Sequence, residues 1–325
     1  MKIDKILFIG LGGAGQRHLR IFHDLYNDRV QYLGYRQTNR TPLLNADFTV
    51  NPDQEITDLY PIKISGNLDE LLSQKPDLTV ISTPTSQHFE LVMKALKNKS
   101  HVLVEKPFSH QLSGAEEAFS IAQQNNLRLF TSFQRKFNPP FQKIKELLVN
   151  NKTKVFSAHF NVFSHVPDWH KYENFKELYA VKKELGGGVL LTEIHEIDLC
   201  CWYFGLPQAV YCSGGNLSYE KLDVEDTVSM ILHYQNFNVT FSMSFMAKAT
   251  ERNFSIKTFD GEIKWDEKQS SGDFTMNDMF KEQARSISEA SSSFSKDDEF
   301  NAIAALKVVD AAKKSILSGK KETLQ

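Results

Sequence analysis

The chain has 325 residues, of which 41% are hydrophobic and 24% charged, with a formal net charge of −2. That length exceeds one ordinary core and predicts two domains, and the balanced charge gives no electrostatic basis for binding nucleic acid or an anionic membrane. The three cysteines, Cys200, Cys201 and Cys212, form no Cys-x-x-Cys pair, and no apolar run reaches the ~18 residues of a membrane helix. The expectation is a cytoplasmic protein without disulfides, membrane span or metal.

Lys5 to Ile9 (KILFI) reads as a buried strand. Glycines follow it at once and no small-residue cleavage pattern appears, so it is not read as a signal peptide. The pattern Gly10-x-Gly12-x-x-Gly15 then opens a helix, Ala14 to Leu25, with Leu19, Phe22 and Leu25 on one face. In a strand–loop–helix setting each glycine has a reason: a tight turn, backbone approach to a pyrophosphate, and close helix–strand packing. The helix N-terminus adds free N–H groups and a positive dipole end. A dinucleotide is therefore expected against Gly10, Leu11, Gly12, Gly13, Ala14 and Gly15.

The second strand, Val30 to Tyr35, runs into Arg36-Gln-Thr-Asn-Arg40. An NAD site usually places an acid there, about 20 residues past the glycines, for the ribose 2′-hydroxyl. Arginines instead suit a 2′-phosphate, so NADP(H) is expected over NAD(H), the other reading being a solvated basic loop. Leu78 to Ser82, His101 to Glu105 and Leu127 to Phe133 are further strands, with a helix at Phe89 to Leu96. Short strands apolar on both faces and alternating with helices predict a parallel sheet covered on both sides. The strand ending at Glu105 passes directly into Lys106-Pro107. This is either an exit turn with a solvated ion pair or a lysine aimed into a site, because ligands bind at the carboxyl ends of such strands.

Further on, the period becomes two. VFSAHFNVF sets Phe156, Ala158, Phe160 and Val162 against Ser157, His159 and Asn161, and VTFSMSF sets Val239, Phe241, Met243 and Phe245 against Thr240, Ser242 and Ser244. A hairpin over Asn253 to Trp265 turns at Asp260-Gly261. The alternation predicts a largely antiparallel sheet with one packed face and one polar face, either solvated or paired with a second subunit. Lys268 to Ser295 reads as serine-rich loops around a helix. A closing helix over about 298–317 has Ala302, Ala305, Val309, Ala312 and Ile316 at helical spacing.

GLGGAGQRH, STPTSQH (Ser82 to His88), VEKPF (Val104 to Phe108) and GGGVLLTEIHEIDLCCWYFG (Gly186 to Gly205), in this order, resemble the Gfo/Idh/MocA oxidoreductases over essentially the whole chain. Pro167 to Gly188 resembles a subgroup linked with bacterial surface-sugar and nonulosonate pathways. The resemblance implies an α/β protein: an N-terminal Rossmann domain with a doubly wound parallel sheet (1–134), then a C-terminal α/β domain with an open-faced, largely antiparallel sheet (135–325). The second domain would bind substrate and form a homodimer or homotetramer. The implied activity is NAD(P)-dependent hydride transfer between nicotinamide and a hydroxyl or keto carbon of a sugar, sugar derivative or nucleotide sugar.

By the same resemblance Thr83, Pro84, His88, Glu105 and Lys106 contact the cofactor, and the Lys106-Pro107 bond is cis. Lys106 and His195 carry the chemistry, Lys106 on the substrate oxygen and His195 as acid/base. Thr192 stands where the family places an acid before His195. On one continuous helix Glu193 would point about 160–200° away from His195, and Asp198 would be the residue placed to orient its ring. Trp169, His170 and Tyr179 suit stacking on or hydrogen bonding to a sugar, with Arg135 and Thr192 as further substrate contacts. Trp169 and Tyr179 as core residues, and Arg135 as a solvated one, are the plainer alternatives. Two other functions fit the motifs: a redox-assisted glycosidase or lyase of the same fold, and a non-catalytic dinucleotide sensor.

Overall fold

A computed structural model describes every residue except 39–40, 151–152, 171, 271–273 and 325. The chain forms two compact units. In the first, Lys5–Ile9 (β1) leads through the glycine loop into Gly13–Tyr26 (α1) and on to Gln31–Tyr35 (β2). Then come Ile56–Leu59 (α2), Ile62–Ser65 (β3), Leu68–Ser73 (α3), Leu78–Ile81 (β4) and His88–Lys97 (α4). His101–Val104 (β5), Leu112–Gln124 (α5) and Leu129–Thr131 (β6) complete the series. The sheet order is β3-β2-β1-β4-β5-β6 with every pair parallel. Strand order reverses between β1 and β4, and such a reversal opens a crevice at the carboxyl ends of the strands. The edge strand β3 (IKIS) has no counterpart in the sequence reading, because only Ile62 of its four residues is fully buried.

The second unit contains Pro139–Asn150 (α6), Val155–His165 (β7), Val189–Thr192 (α7) and His195–Phe204 (α8). Ala209–Gly215 (β8), Thr227–His233 (β9), Asn238–Ser244 (β10), Met246–Thr258 (β11) and Gly261–Asp266 (β12) follow. Met276–Glu289 (α9), Lys296–Ser318 (α10) and Glu322–Thr323 (β13) close the described chain. The order β12-β11-β7-β10-β9-β8-β13 is antiparallel except for β10 against β7. The alternation sorts the side chains: Ala158, Phe160, Val162, Val239, Phe241, Met243 and Phe245 are buried. Phe156 departs from its expected place and is 50% exposed near the start of β7, where the packed face runs out.

Aromatic side chains weld helices to this sheet. Phe254 of β11 lies 5.1 Å from Phe160 and 5.5 Å from Phe141 of α6, with Tyr203 of α8 at 6.1 Å. The stretch read as serine-rich loops has a larger part than expected. Residues 276–302 return to the first unit, where Phe280, Ala284 and Ile287 of α9 pack with Ile3, Phe8 and Phe22, so a single cut after residue 134 omits this return. Among the described residues no helix is long and apolar enough to cross a membrane.

Phe254 is 2% exposed at the junction of four rings. Phe254→Ala is expected to cost about 3–5 kcal/mol, read as a lowered urea midpoint for the second unit by near-UV circular dichroism.

Candidate active site

The phosphate loop is shaped by what its glycines meet. Gly10 has φ +87°, a left-handed conformation, and a Cβ there would lie 2.8 Å from the Ser82 carbonyl oxygen. A Cβ on Gly15 would lie 2.0 Å from the Gly10 carbonyl oxygen, so α1 can meet the end of β1 only without one. Gly12 is different: the nearest heavy atom to a Cβ is Thr41 Oγ1 at 3.7 Å, so the protein itself leaves space there. Gly12, after Leu11, also precedes α1 with no side-chain cap, so the first-turn N–H groups of Gly13, Ala14 and Gly15 have neither an intrahelical acceptor nor a capping side chain. Ser82 Oγ and Thr83 Oγ1, just past β4, are buried with no hydrogen-bond partner among the described residues. A cradle that a Cβ would fill and two orphaned hydroxyls beside it fit a dinucleotide at the switch point.

Arg36 does not stand free for a 2′-phosphate as expected. Its Nε donates to the Thr38 carbonyl at 3.0 Å and a terminal nitrogen donates to the Thr41 carbonyl, so it shapes the loop after β2. Arg40 lies outside the described residues. His88 is likewise not a surface for the cofactor: it is 1% exposed, with Nδ1 2.9 Å from the Pro107 carbonyl oxygen and Nε2 2.8 Å from that of Thr83. Burial lowers its pKa, so near neutrality the ring has one N–H and donates to one of these two carbonyls, while it packs between the Thr83-Pro84 turn and the Lys106-Pro107 turn. That second peptide bond is cis.

Glu105 is not a solvated partner of Lys106. His18 Nε2 donates to Glu105 Oε1 at 2.6 Å, with side chains only 3% and 14% exposed, and the Lys106 N–H donates to Oε2 at 3.2 Å. Burial opposes ionisation of Glu105, but the His18 hydrogen bond and the nearby positive charges outweigh it and hold the pKa below the usual carboxylate value.

In the second unit the helix carrying His195 is broken. α7 ends at Thr192, Glu193 takes φ −100° and ψ 33°, and His195 opens α8. The geometry assumed for one continuous helix therefore does not apply, and Glu193 and Glu196 both reach Arg252 of β11. Arg252 meets Glu196 Oε1 and Oε2 at 2.6 and 2.7 Å and Glu193 Oε2 at 2.5 Å, while Ser164 Oγ donates to Glu193 Oε1 at 2.6 Å. The Thr192 hydroxyl donates to the Gly188 carbonyl at 2.7 Å. Asp198 accepts from Lys136 Nζ at 2.6 Å, and burial pushes its pKa up to about 6 although Lys136 opposes this.

Trp169, His170 and Tyr179 are half-buried in the stretch between β7 and α7. Trp169 meets Phe245 edge-on at 6.3 Å, and His170 Nδ1 donates to Glu173 Oε1 at 2.7 Å. Gly187 packs on the carbonyls of Tyr179 and Ala180, where a Cβ would come within 2.6 Å of both. Arg135 is 5% exposed, so it is buried rather than solvated. The sequence reading missed Arg252 and Lys136. For Arg252 a signal existed: it stands two residues before Phe254 and four before Ile256, on the packed phase of its strand. Among the described residues no group of three or more His, Cys, Asp or Glu could hold a metal ion.

This order of strands, with an open glycine cradle at the switch point, defines a dinucleotide-binding Rossmann protein. The chain belongs to the GFO/IDH/MocA oxidoreductase family: residues 5–133 match its NAD-binding Rossmann fold and 141–264 its C-terminal domain. It is 33% identical over 178 residues to the uncharacterized oxidoreductase C26H5.09c of Schizosaccharomyces pombe, covering 53% of this chain and 46% of that one. To the scyllo-inositol 2-dehydrogenase (NADP(+)) IolU of Bacillus subtilis it is 30% identical over 177 residues, 52% of this chain and 50% of that one. The alignment with each thus spans about half of the relative's length. The WlbA dehydrogenase of Bordetella pertussis, solved with NADH and UDP-GlcNAcA, shares the fold at TM-score 0.80 and 17% identity, over 100% of this chain and 99% of that one.

Gly12→Ala is expected to weaken NADP+ binding at least about tenfold while changing the stability of the unliganded protein by less than ~1 kcal/mol. Gly15→Ala should instead lower the unfolding midpoint sharply. Fluorescence titration and thermal unfolding separate the two. Glu105→Gln is expected to cost about 1–3 kcal/mol at pH 7. Because the folded pKa lies below the ordinary value of 4.5, the stabilisation is present above that pH and disappears as pH falls below it. Unfolding midpoints of variant and parent should therefore converge in acid.

Proposed function

We propose that the protein is a reversible NAD(P)-dependent oxidoreductase acting on a hydroxyl or keto carbon of a sugar, sugar derivative or nucleotide sugar. The observation that carries this reading is the glycine cradle, with room in front of Gly12 and orphaned hydroxyls at Ser82 and Thr83. Gly12, Gly13 and Ala14 receive the pyrophosphate on backbone N–H groups, and Thr83 and Pro84 line the nicotinamide end. When bound, the dinucleotide supplies the acceptor or donor of a hydride.

Lys106, at the carboxyl end of β5, hydrogen-bonds the substrate oxygen and stabilises its developing negative charge. His195 moves the hydroxyl proton, its ordinary pKa of ~6.5 suiting exchange near neutrality. Trp169, His170 and Tyr179 contact the substrate, whereas Thr192, 2% exposed with its hydroxyl on the Gly188 carbonyl, does not. NADP(H) is preferred, on the ground that no acid stands between Tyr35 and Arg40 to hold a ribose 2′-hydroxyl. The names of relatives lend support to each coenzyme, IolU to NADP and WlbA to NADH. The polar face of the second sheet, with Tyr211 40% exposed beside Ser213, pairs two copies into a dimer or tetramer.

A panel of sugars, inositols and nucleotide sugars, followed at 340 nm with NAD and NADP separately, tests the reading. Product formation without stoichiometric coenzyme reduction would favour the redox-assisted glycosidase or lyase instead. Lys106→Ala is expected to keep coenzyme affinity within about twofold and to lose at least ~100-fold in kcat. Normal turnover in that variant would remove Lys106 from the chemistry.

A further inference from the structure

Within the second unit, a cavity of about 320 Å³ lies beside the end of β7 and the middle of β11, lined among others by Arg135, Thr250, Arg252, Glu267 and Lys268. Its guanidinium groups are not equally compensated. Two carboxylates buried to the same degree, Glu193 and Glu196 (4% and 1% exposed), are available to two arginines, and Arg252 takes both at 2.5–2.7 Å. Arg135, itself 5% exposed, has Glu196 Oε1 only at 3.7 Å from Nε, too long for a hydrogen bond. Its other contact is Glu267 Oε1 at 3.3 Å, from a side chain 50% exposed. Arg135 Nε has no hydrogen-bond partner among the described residues.

A buried cation held this loosely is destabilising, since desolvation is offset only by close and well-aligned partners. The electrostatics follow the geometry. Burial and the neighbouring Arg252 lower the Arg135 pKa despite three glutamates nearby, whereas the close carboxylates raise that of Arg252 against its own burial. Arg135 thus lines the cavity with its Nε unpaired and a terminal nitrogen in a single long contact, and a planar guanidinium held this loosely is the group suited to an oxyanion.

We propose that this cavity is a carboxylate subsite: Arg135 receives the carboxylate of a sugar acid, and Glu267 holds the guanidinium until that carboxylate replaces it. The proposal rests on the oxidoreductase reading for the rest of the ligand to be a hydroxylated substrate. Charge selects carboxylate over phosphate. With Glu267 turned to water, Arg135 and Arg252 balance Glu193 and Glu196, and the exposed Lys268 and Glu251 offset each other at the rim, so one added carboxylate costs less here than a dianion. Glu251 at the rim already accepts from Asn161 and Asn253, and its charge, like that of Lys268, is screened by water.

The test is calorimetric titration of the full chain with two matched pairs, glucuronate against glucose and UDP-glucuronate against UDP-glucose. In at least one pair the acid is expected to bind about tenfold or more tightly than its neutral partner. Arg135→Met should reduce that ratio to about twofold or less, and Glu267→Gln, which removes the competing carboxylate, should raise affinity for the acid about threefold or more. Neutral and acid sugars binding alike, no binding of either acid, or a ratio that survives Arg135→Met would overturn the subsite. If Arg135→Met fails to fold, Glu267→Gln decides, and unchanged or weaker acid binding counts against the proposal. Coenzyme-linked turnover separates the two readings. Acids bound through Arg135 but never oxidised with NAD or NADP leave the subsite standing and sink the oxidoreductase reading. Neutral sugars oxidised with no preference for acids do the reverse.

Discussion

The contact on which the first unit depends is the meeting of α1 with the end of β1, where a Cβ on Gly15 would stand 2.0 Å from the Gly10 carbonyl oxygen. No rotamer change relieves such an overlap, because both atoms are fixed to backbone. The absence of both side chains lets the helix start directly above the strand. Its N-terminus is thereby held at the carboxyl edge of the sheet, at the reversal between β1 and β4. The orphaned hydroxyls of Ser82 and Thr83 follow from the same packing, since β4 ends beside the loop. His88 and the His18–Glu105 pair, all largely buried, then stiffen the turns after β4 and β5. A rigid rear support with an open front suits a site that has to hold its shape before anything binds.

In the second unit charge, rather than apolar packing, sets the local order. Glu193 and Glu196 lie on either side of a helix break and converge on one guanidinium. Arg252 thereby fixes the angle between α7 and α8, and with it the position of His195 as the first residue of α8. Buried ion pairs of this kind add little net stability, because desolvation offsets most of the attraction. Their retention in a core that has Phe160, Phe241 and Phe254 close at hand is better explained by geometry than by stability. The uneven division of the carboxylates between Arg252 and Arg135 has the same source: a bidentate partner close to ideal distance leaves little for its neighbour.

The parallel sheet was legible because each of its central strands is buried on both faces and leaves an uninterrupted apolar run. The edge strand β3 leaves no such trace. Periodicity likewise disclosed β7, β10 and the β11–β12 hairpin, whose turn at Asp260-Gly261 has a local chemical signature. It could not assign α9 to the first unit, because an amphipathic helix does not specify which of two cores will receive it. Of the site, the glycine loop was readable since its spacing answers to backbone sterics. Arg36 was readable as a cation but not in its role, because its partners are the Thr38 and Thr41 carbonyls of its own loop, and main-chain acceptors have no sequence signature.

The residues around His195 show why spacing alone misled. A continuous helix turns each residue by about 100°, and on that assumption Glu193 and His195 belong to opposite faces. The break at Glu193 cancels the assumption. Thr192 donates both its N–H and its hydroxyl to the carbonyl of Gly188, the α7 N-cap, a back-bond of the kind that bends helices. Thr192 is therefore committed to the backbone, and the acids of this segment, Glu193, Glu196 and Asp198, are each held by a cation from another element. Acidity in this segment lies in the supports around the histidine, not in Leu191 or Thr192, the residues four and three before it. A carboxylate arriving with the ligand would meet Arg135, the cation those supports leave least compensated.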